Sequence, residues 1–366
     1  MSISQDKTPS SDEDLLIVDI DVHLHETPGE LAPYCEKPWR RALETQIDVP
    51  KPFMAPPYTP LDPPFPEDLV YREVKTPEQM REELDQLGID IGLLFPDNLL
   101  RIAMLPDPHY AAAIARAYNA WMLDRWLSRD TTLKGALMAA PQDPVATAQE
   151  IERYAKEPGI VAIYLPAAGV DPLYGNRVYD PIYQAAQDAD LPVLLHSVEA
   201  VFPTFPFQLQ KYETSLARHA FSHPLAMMAN MLSIINTGAM VRFPRLKIAF
   251  VEGGVSWVPF MMYRLDKEFI ERRREVPFLQ ERPSAYIRRF YYGTQPIEEP
   301  EPMRDLVTIF QLFGGEDNVM FASDWPHHDF DHPSKILQAP FSPEAKRKIM
   351  GENAVRFFNL RDAKKR

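Results

Sequence analysis

Five strand-like runs in this sequence carry polar residues at or just beyond their ends, of types that bind metals or move protons. His23 and His25 follow the run LLIVDIDV, His196 lies in LPVLLHS, Glu252 closes LKIAFVE, Thr294 and Gln295 end or follow RFYYGT, and Asp324 closes NVMFASD. A spacing of two on an extended strand points the His23 and His25 imidazoles to the same side. Two neutral imidazoles on one face suit a divalent cation. An isolated H-x-H pair says little; it gains weight here because histidine and aspartate recur at later strand ends. His223, in SHPLAMMANM, is expected to begin a helix with Pro224 in the favoured first-turn position. There it acts as a local cap, an additional ligand or a group supporting one. His327, His328 and Asp329 follow Asp324 closely, and at least one is expected to orient a ligand or bind substrate; the sequence does not choose between the two histidines.

These residues share a site only if the chain brings the run ends together. Eight short apolar runs alternate with amphipathic stretches, at 15–22, 89–95, 133–140, 160–166, 191–197, 246–252, 289–294 and 318–324. Most carry few charges before their last residue, as expected of parallel strands covered on both faces. Eight such repeats in one chain predict a single (β/α)8 TIM-like barrel over residues 15–360. Barrels of this kind place their sites at the C-terminal rim of the strands. Met227, Met228 and Met231 read as core, as do Trp121 and Trp126.

Proline interrupts the pattern once. Of 37 prolines, eight fall between Pro50 and Pro66. Proline removes a backbone donor and restricts its predecessor, so VPKPFMAPPYTPLDPPFP is neither helix interior nor central strand. Residues 26–77 are read as a proline-rich insertion after the first strand, forming an ordered wall of the site or a surface for a partner subunit. Residues 1–14 read as a disordered tail.

Composition excludes several functions. The 366 residues hold 39 basic and 52 acidic side chains, a net charge of −13, which disfavours nucleic acid or an anionic membrane as partner. The run Arg272, Arg273, Arg274 is flanked by Glu271 and Glu275 and reads as a solvated helix face. One cysteine, Cys35, permits neither an internal disulfide nor a cysteine-based zinc site. Without a signal-peptide pattern or an apolar run of bilayer length, a cytoplasmic protein is expected. No phosphate-cradling glycine loop or G-x-S-x-G elbow is present.

IVDIDVHLH, VLLH, FPRLKIAFVEGGVSWVPF, FASDWPHHD and GENAVRFF together resemble the amidohydrolase-related branch of the amidohydrolase superfamily, which contains aminocarboxymuconate semialdehyde decarboxylase and aromatic-acid decarboxylases. The resemblance runs from about residue 15 to 360. It implies a distorted barrel with a divalent metal (Zn, Mn or Fe) on His23, His25, His196 and Asp324. One departure stands out. Where the decarboxylases end the sixth strand with an acid/base histidine, this chain has Glu252. That glutamate is expected to serve as a catalytic acid/base or as a ligand, bridging two ions if a second one binds; an ion pair with Arg242 or Arg264 is the structural alternative. His223 is the second catalytic candidate.

Three functions follow. The first is a metal-dependent enzyme that decarboxylates or hydrolyses a small organic carboxylate. The second is a dinuclear iron or manganese/iron monooxygenase of the 2-aminoisobutyrate hydroxylase type, with seven nitrogen and oxygen ligands available. The third is a structural metal-binding subunit of a hetero-oligomer. A homo- or hetero-oligomer is expected.

Overall fold

In the computed structural model, residues 15–45, 74–198, 212, 214–327, 329–361 and 363–366 are described. The predicted tail, the proline-rich stretch from Pro50 to Pro66 and His328 lie outside the described residues.

All eight predicted strands form. They are β1 (Val18–Leu24), β2 (Ile91–Pro96), β3 (Leu133–Met138), β4 (Ile160–Pro166), β5 (Val193–His196), β6 (Ile248–Val251), β7 (Tyr291–Gly293) and β8 (Val319–Met320). They pair in sequence order, each parallel to the next. Every residue of β1, β2 and β4 to β6 is buried, as the low-charge runs required, because helices cover the outer face and side chains fill the interior.

β8 keeps only two residues of the predicted seven in regular pairing, yet the ring closes. Ile20 N donates to Phe321 O (3.0 Å), Asp324 N to Asp21 O (3.0 Å) and His23 N to Trp325 O (2.8 Å). The strand is short because its continuation bends: Asp324 has φ +63°, outside any strand conformation. Beneath that bend, the carboxylate of buried Asp19 accepts from the backbone N–H (2.9 Å) and the hydroxyl of Ser323, tying β1 to the end of β8.

Much of the remaining proline starts helices. Thr76-Pro77, Asp107-Pro108, Asp143-Pro144 and Ser342-Pro343 each place a capping side chain at the N-cap and proline just inside. Proline gives up no hydrogen bond there, since the first helical N–H groups have no intrahelical acceptor. Pro224 departs from this pattern. It lies inside the helix Ser215–Asn236, so His223 is mid-helix rather than at its start. Thr214 caps that helix by accepting from Ala217 N (3.3 Å), so the helix starts well before Pro224.

Candidate metal centre

Along β1, Asp19, Asp21 and His23 share one parity, so all three side chains face the same side. Asp19 is used up by Ser323; Asp21 meets His196 from across the barrel, and His23 meets Asp324 from the neighbouring end of β8. Asp21 Oδ1 lies 2.9 Å from His196 Nε2 at the end of β5 and 3.2 Å from His23 Nε2. His23 Nε2 is also 2.9 Å from Asp324 Oδ1. All four side chains are fully buried.

The tautomers matter. His23 Nδ1 faces Pro96 O at 2.7 Å and His196 Nδ1 faces Ser197 O at 2.7 Å, so each ring donates from Nδ1 and a neutral ring presents a lone pair at Nε2. Two such lone pairs then face two carboxylate oxygens, an arrangement that a shared cation satisfies, as does a proton on each ring. Asp21 Oδ2 is buried and has no hydrogen-bond partner. Burial pushes the His23 pKa down, but the hydrogen bonds and charges of Asp21 and Asp324 outweigh it and leave it well above the ordinary imidazole value. The same balance, burial opposed by His196 and His23, holds Asp21 below its ordinary value. Among the described residues, two groups have donor atoms close enough to hold one ion: Asp21–His23–His196 and His23–Asp324–His327.

His25 belongs to neither group. It lies one residue past the end of β1, where its Nδ1 meets Asp97 Oδ2 at 2.7 Å. Its expected role as a ligand rests on the parity argument, and the contact its Nδ1 makes is with Asp97. His327 lies beside the second group: its Nδ1 is 2.6 Å from Asp324 Oδ1 and its ring stacks on His23 with centroids 4.1 Å apart. Burial lowers its pKa, but Asp324 dominates and it is raised to about 9.

Glu252 sits beside this cluster, with Oε2 3.3 Å from His196 Nδ1 and Oε1 3.9 Å from His223 Nε2. Like Asp324, it has φ +63°, a left-handed conformation that costs an L-residue of order 1–3 kcal/mol and recurs at functional sites. Gly254 makes the turn feasible. At φ +62°, a Cβ there would lie 2.8 Å from Glu298 Oε1, the carboxylate that accepts from Val255 N and Ser256 N. The ion-pair alternative fails, because Arg242 bonds Asp180 and Arg264 bonds Glu268. Burial, then the carboxylates of Asp324, Asp21 and Asp329, push Glu252 well above its ordinary pKa. Burial and then His219 hold His223 well below its ordinary value, hence neutral.

Several participants escaped the sequence reading. Asp21 is one, although its parity with His23 signalled it. His219 is another: one turn before His223 on the same helix, its ring is 4.4 Å from that of His223 and its Nε2 is 3.3 Å from Asp329 Oδ2. Gln295 Nε2 in turn bridges Asp329 Oδ2 (3.2 Å) and Asp324 Oδ2 (3.1 Å).

A family model described as amidohydrolase matches residues 20–360. The chain belongs to the amidohydrolase family. Among its relatives in the family, a gamma-resorcylate decarboxylase of Polaromonas sp. JS666 is 26% identical over 290 residues, covering 76% of this chain and 85% of that protein. Two solved structures share the fold. The 5-carboxyvanillate decarboxylase of Sphingomonas paucimobilis superposes with TM-score 0.70 at 22% identity, over 94% of this chain and 99% of that one. The dihydroxybenzoic acid decarboxylase of Polaromonas sp. JS666, solved with bound manganese and 2-nitroresorcinol, gives TM-score 0.70 at 19% identity, over 95% of this chain and 98% of that one. As to location, none of the described helices is long and apolar enough to cross a membrane.

Proposed function

We propose that this amidohydrolase-family chain is a divalent-metal-dependent carboxy-lyase acting on an aromatic hydroxy-carboxylate. The observation that carries the reading is the convergence of His23 Nε2, His196 Nε2, Asp21 Oδ1 and Asp324 Oδ1 next to Glu252. Asp21, His23, His196 and Asp324 would hold the ion. The two carboxylates offset its charge, and the hard-to-borderline N/O set suits manganese, iron or zinc. The manganese in a structural neighbour that bears a decarboxylase name supports this choice.

When bound, the metal supplies a Lewis acid that draws electron density from the substrate's oxygen atoms. The chain's own residues do the rest. Glu252, protonated in its buried setting, delivers its proton to the ring carbon that bears the carboxylate. The C–C bond then breaks, its electron pair restores the aromatic ring, and CO2 leaves. His223, with Nε2 3.9 Å from Glu252 Oε1, faces the carboxylate that remains on Glu252. Gln295 and His327 hold Asp324 in place from its two oxygens.

The test is CO2 release and phenol formation from a panel of dihydroxybenzoates and carboxyvanillate, with protein stripped and reloaded with Mn2+, Fe2+ or Zn2+. Metal-loaded protein that converts none of them sinks the reading.

A second reading, the dinuclear oxygenase, draws on one observation: Glu252 Oε2 and His223 Nδ1, both buried beside His196, lack hydrogen-bond partners. Two metal equivalents per chain, with O2 consumed and no CO2 formed, would mark it.

A further inference from the structure

Glu26 follows the His23–His25 pair and is buried, with 1% of its surface exposed. A carboxylate removed from water is costly unless its oxygens are hydrogen-bonded. Glu26 directs its bonds to one short turn. Its Oε2 accepts from Asp97 N at 3.0 Å and its Oε1 from Leu99 N at 2.6 Å, while its backbone oxygen accepts from Asn98 Nδ2 at 2.8 Å. Three consecutive residues beyond β2 are thereby fastened to the chain just past β1.

Asp97 is where that turn meets the site. Its Oδ2 accepts from His25 Nδ1 at 2.7 Å and its Oδ1 lies 3.5 Å from His327 Nε2. His327 passes the constraint on, through Nδ1 to Asp324 Oδ1 at 2.6 Å and by stacking on the His23 ring.

We propose that Glu26 and Asp97 are positioning residues of the metal site: Glu26 locks the turn at 97–99, Asp97 orients His25 and His327, and His327 sets Asp324 and His23 in the geometry that receives the ion. The chain of contacts runs from a residue that touches no candidate donor to two that are donors. Carboxylates that orient the second nitrogen of a site histidine typically change metal affinity or activity by 10- to 100-fold when removed. This inference rests on the metal-site reading above.

The experiment compares full-length wild type, Glu26→Gln, Asp97→Asn and the double variant. Mn2+ affinity is read by electron paramagnetic resonance of free Mn2+ together with elemental analysis, and fold integrity by the melting temperature of the metal-free protein. Glu26→Gln keeps the buried volume but turns an amide donor toward one of the two N–H groups. Asp97→Asn keeps the fold should Glu26→Gln disturb it.

Expected are a 10- to 100-fold weaker Mn2+ affinity in each single variant and an altered bound-Mn2+ line shape, at near-wild-type melting temperature. The double variant should be no weaker than Asp97→Asn alone, because Glu26 acts through Asp97. Wild type that binds Mn2+ alongside variants within twofold of it overturns the inference while leaving the metal site standing, as do losses that simply add in the double variant. Wild type that binds no divalent ion overturns both.

Discussion

Asp21 Oδ1 and His196 Nε2 lie 2.9 Å apart, although 175 residues separate them in sequence and their strands, β1 and β5, stand on opposite sides of the barrel. The contact spans the interior at the C-terminal end of the strands, and it joins an acceptor to a ring nitrogen whose partner nitrogen already donates. This relationship is why we propose Asp21 as a donor of the site.

Asp21→Asn, His196→Ala and Asp324→Ala should therefore each lose most bound metal. His25→Ala should keep close to one equivalent, with weakened affinity. Elemental analysis after dialysis against metal-free buffer decides it. Loss of stoichiometric metal in His25→Ala, with retention in Asp21→Asn, would restore His25 to the donor set.

Glu252→Gln should retain metal and lower turnover about 10²- to 10⁴-fold, the usual worth of a general acid. The glutamine fills the same volume but has no acidic proton to deliver. Because burial and neighbouring carboxylates raise the Glu252 pKa, wild-type turnover should fall as pH rises through that value, and the residual turnover of the variant should lack this limb. A variant that turns over normally removes Glu252 from the chemistry; one that loses metal makes it a ligand.

Asp331 gives a stability test away from the metal. It accepts from Ile297 N at 2.7 Å and pairs with Lys335 at 2.9 Å, yet burial dominates and raises its pKa from 3.8 to about 6. A carboxyl whose folded pKa is raised favours folding fully below its unfolded pKa and loses that contribution as pH rises through the folded value. Wild-type stability relative to Asp331→Asn should thus fall by roughly 2 kcal/mol between pH 4 and pH 7. Urea unfolding of both proteins at intervals across that range measures it. A constant difference would show that Asp331 titrates alike in both states.

Ser323→Ala should destabilise the fold by about 1–3 kcal/mol. The hydroxyl it removes bonds to the Asp19 carboxylate, whose pKa burial raises to about 8, and accepts from Trp325 N at 3.0 Å. Both groups are buried where β8 has no regular ladder to hold it against β1. Chemical denaturation of the metal-free variant provides the reading; a change under 0.5 kcal/mol would mean that water replaces the hydroxyl.

The eight strands were legible in the sequence because a strand buried on both faces must be a short, nearly uncharged apolar run, whatever surrounds it. His196, Glu252 and Asp324 stood out in the sequence as candidates for a related reason: a polar residue at the end of such a run stands at the rim. What sequence did not decide was reach. Parity put Asp19, Asp21, His23 and His25 on one side of β1, but which of them meet His196 and Asp324 depends on the depth at which each strand ends and on the left-handed bends at Glu252 and Asp324, set by contacts between distant segments. The stacking of the His327 ring on His23 was likewise not legible in the sequence. Pro224 shows the converse, a strong local signal overridden by the helix that Thr214 starts and the core holds in place around buried Met227 and Met231. Local patterns determine which residue types occupy the rim. Which atoms come within bonding distance depends on the closure of the barrel, since that is a property of packing across the whole ring rather than of any stretch of chain.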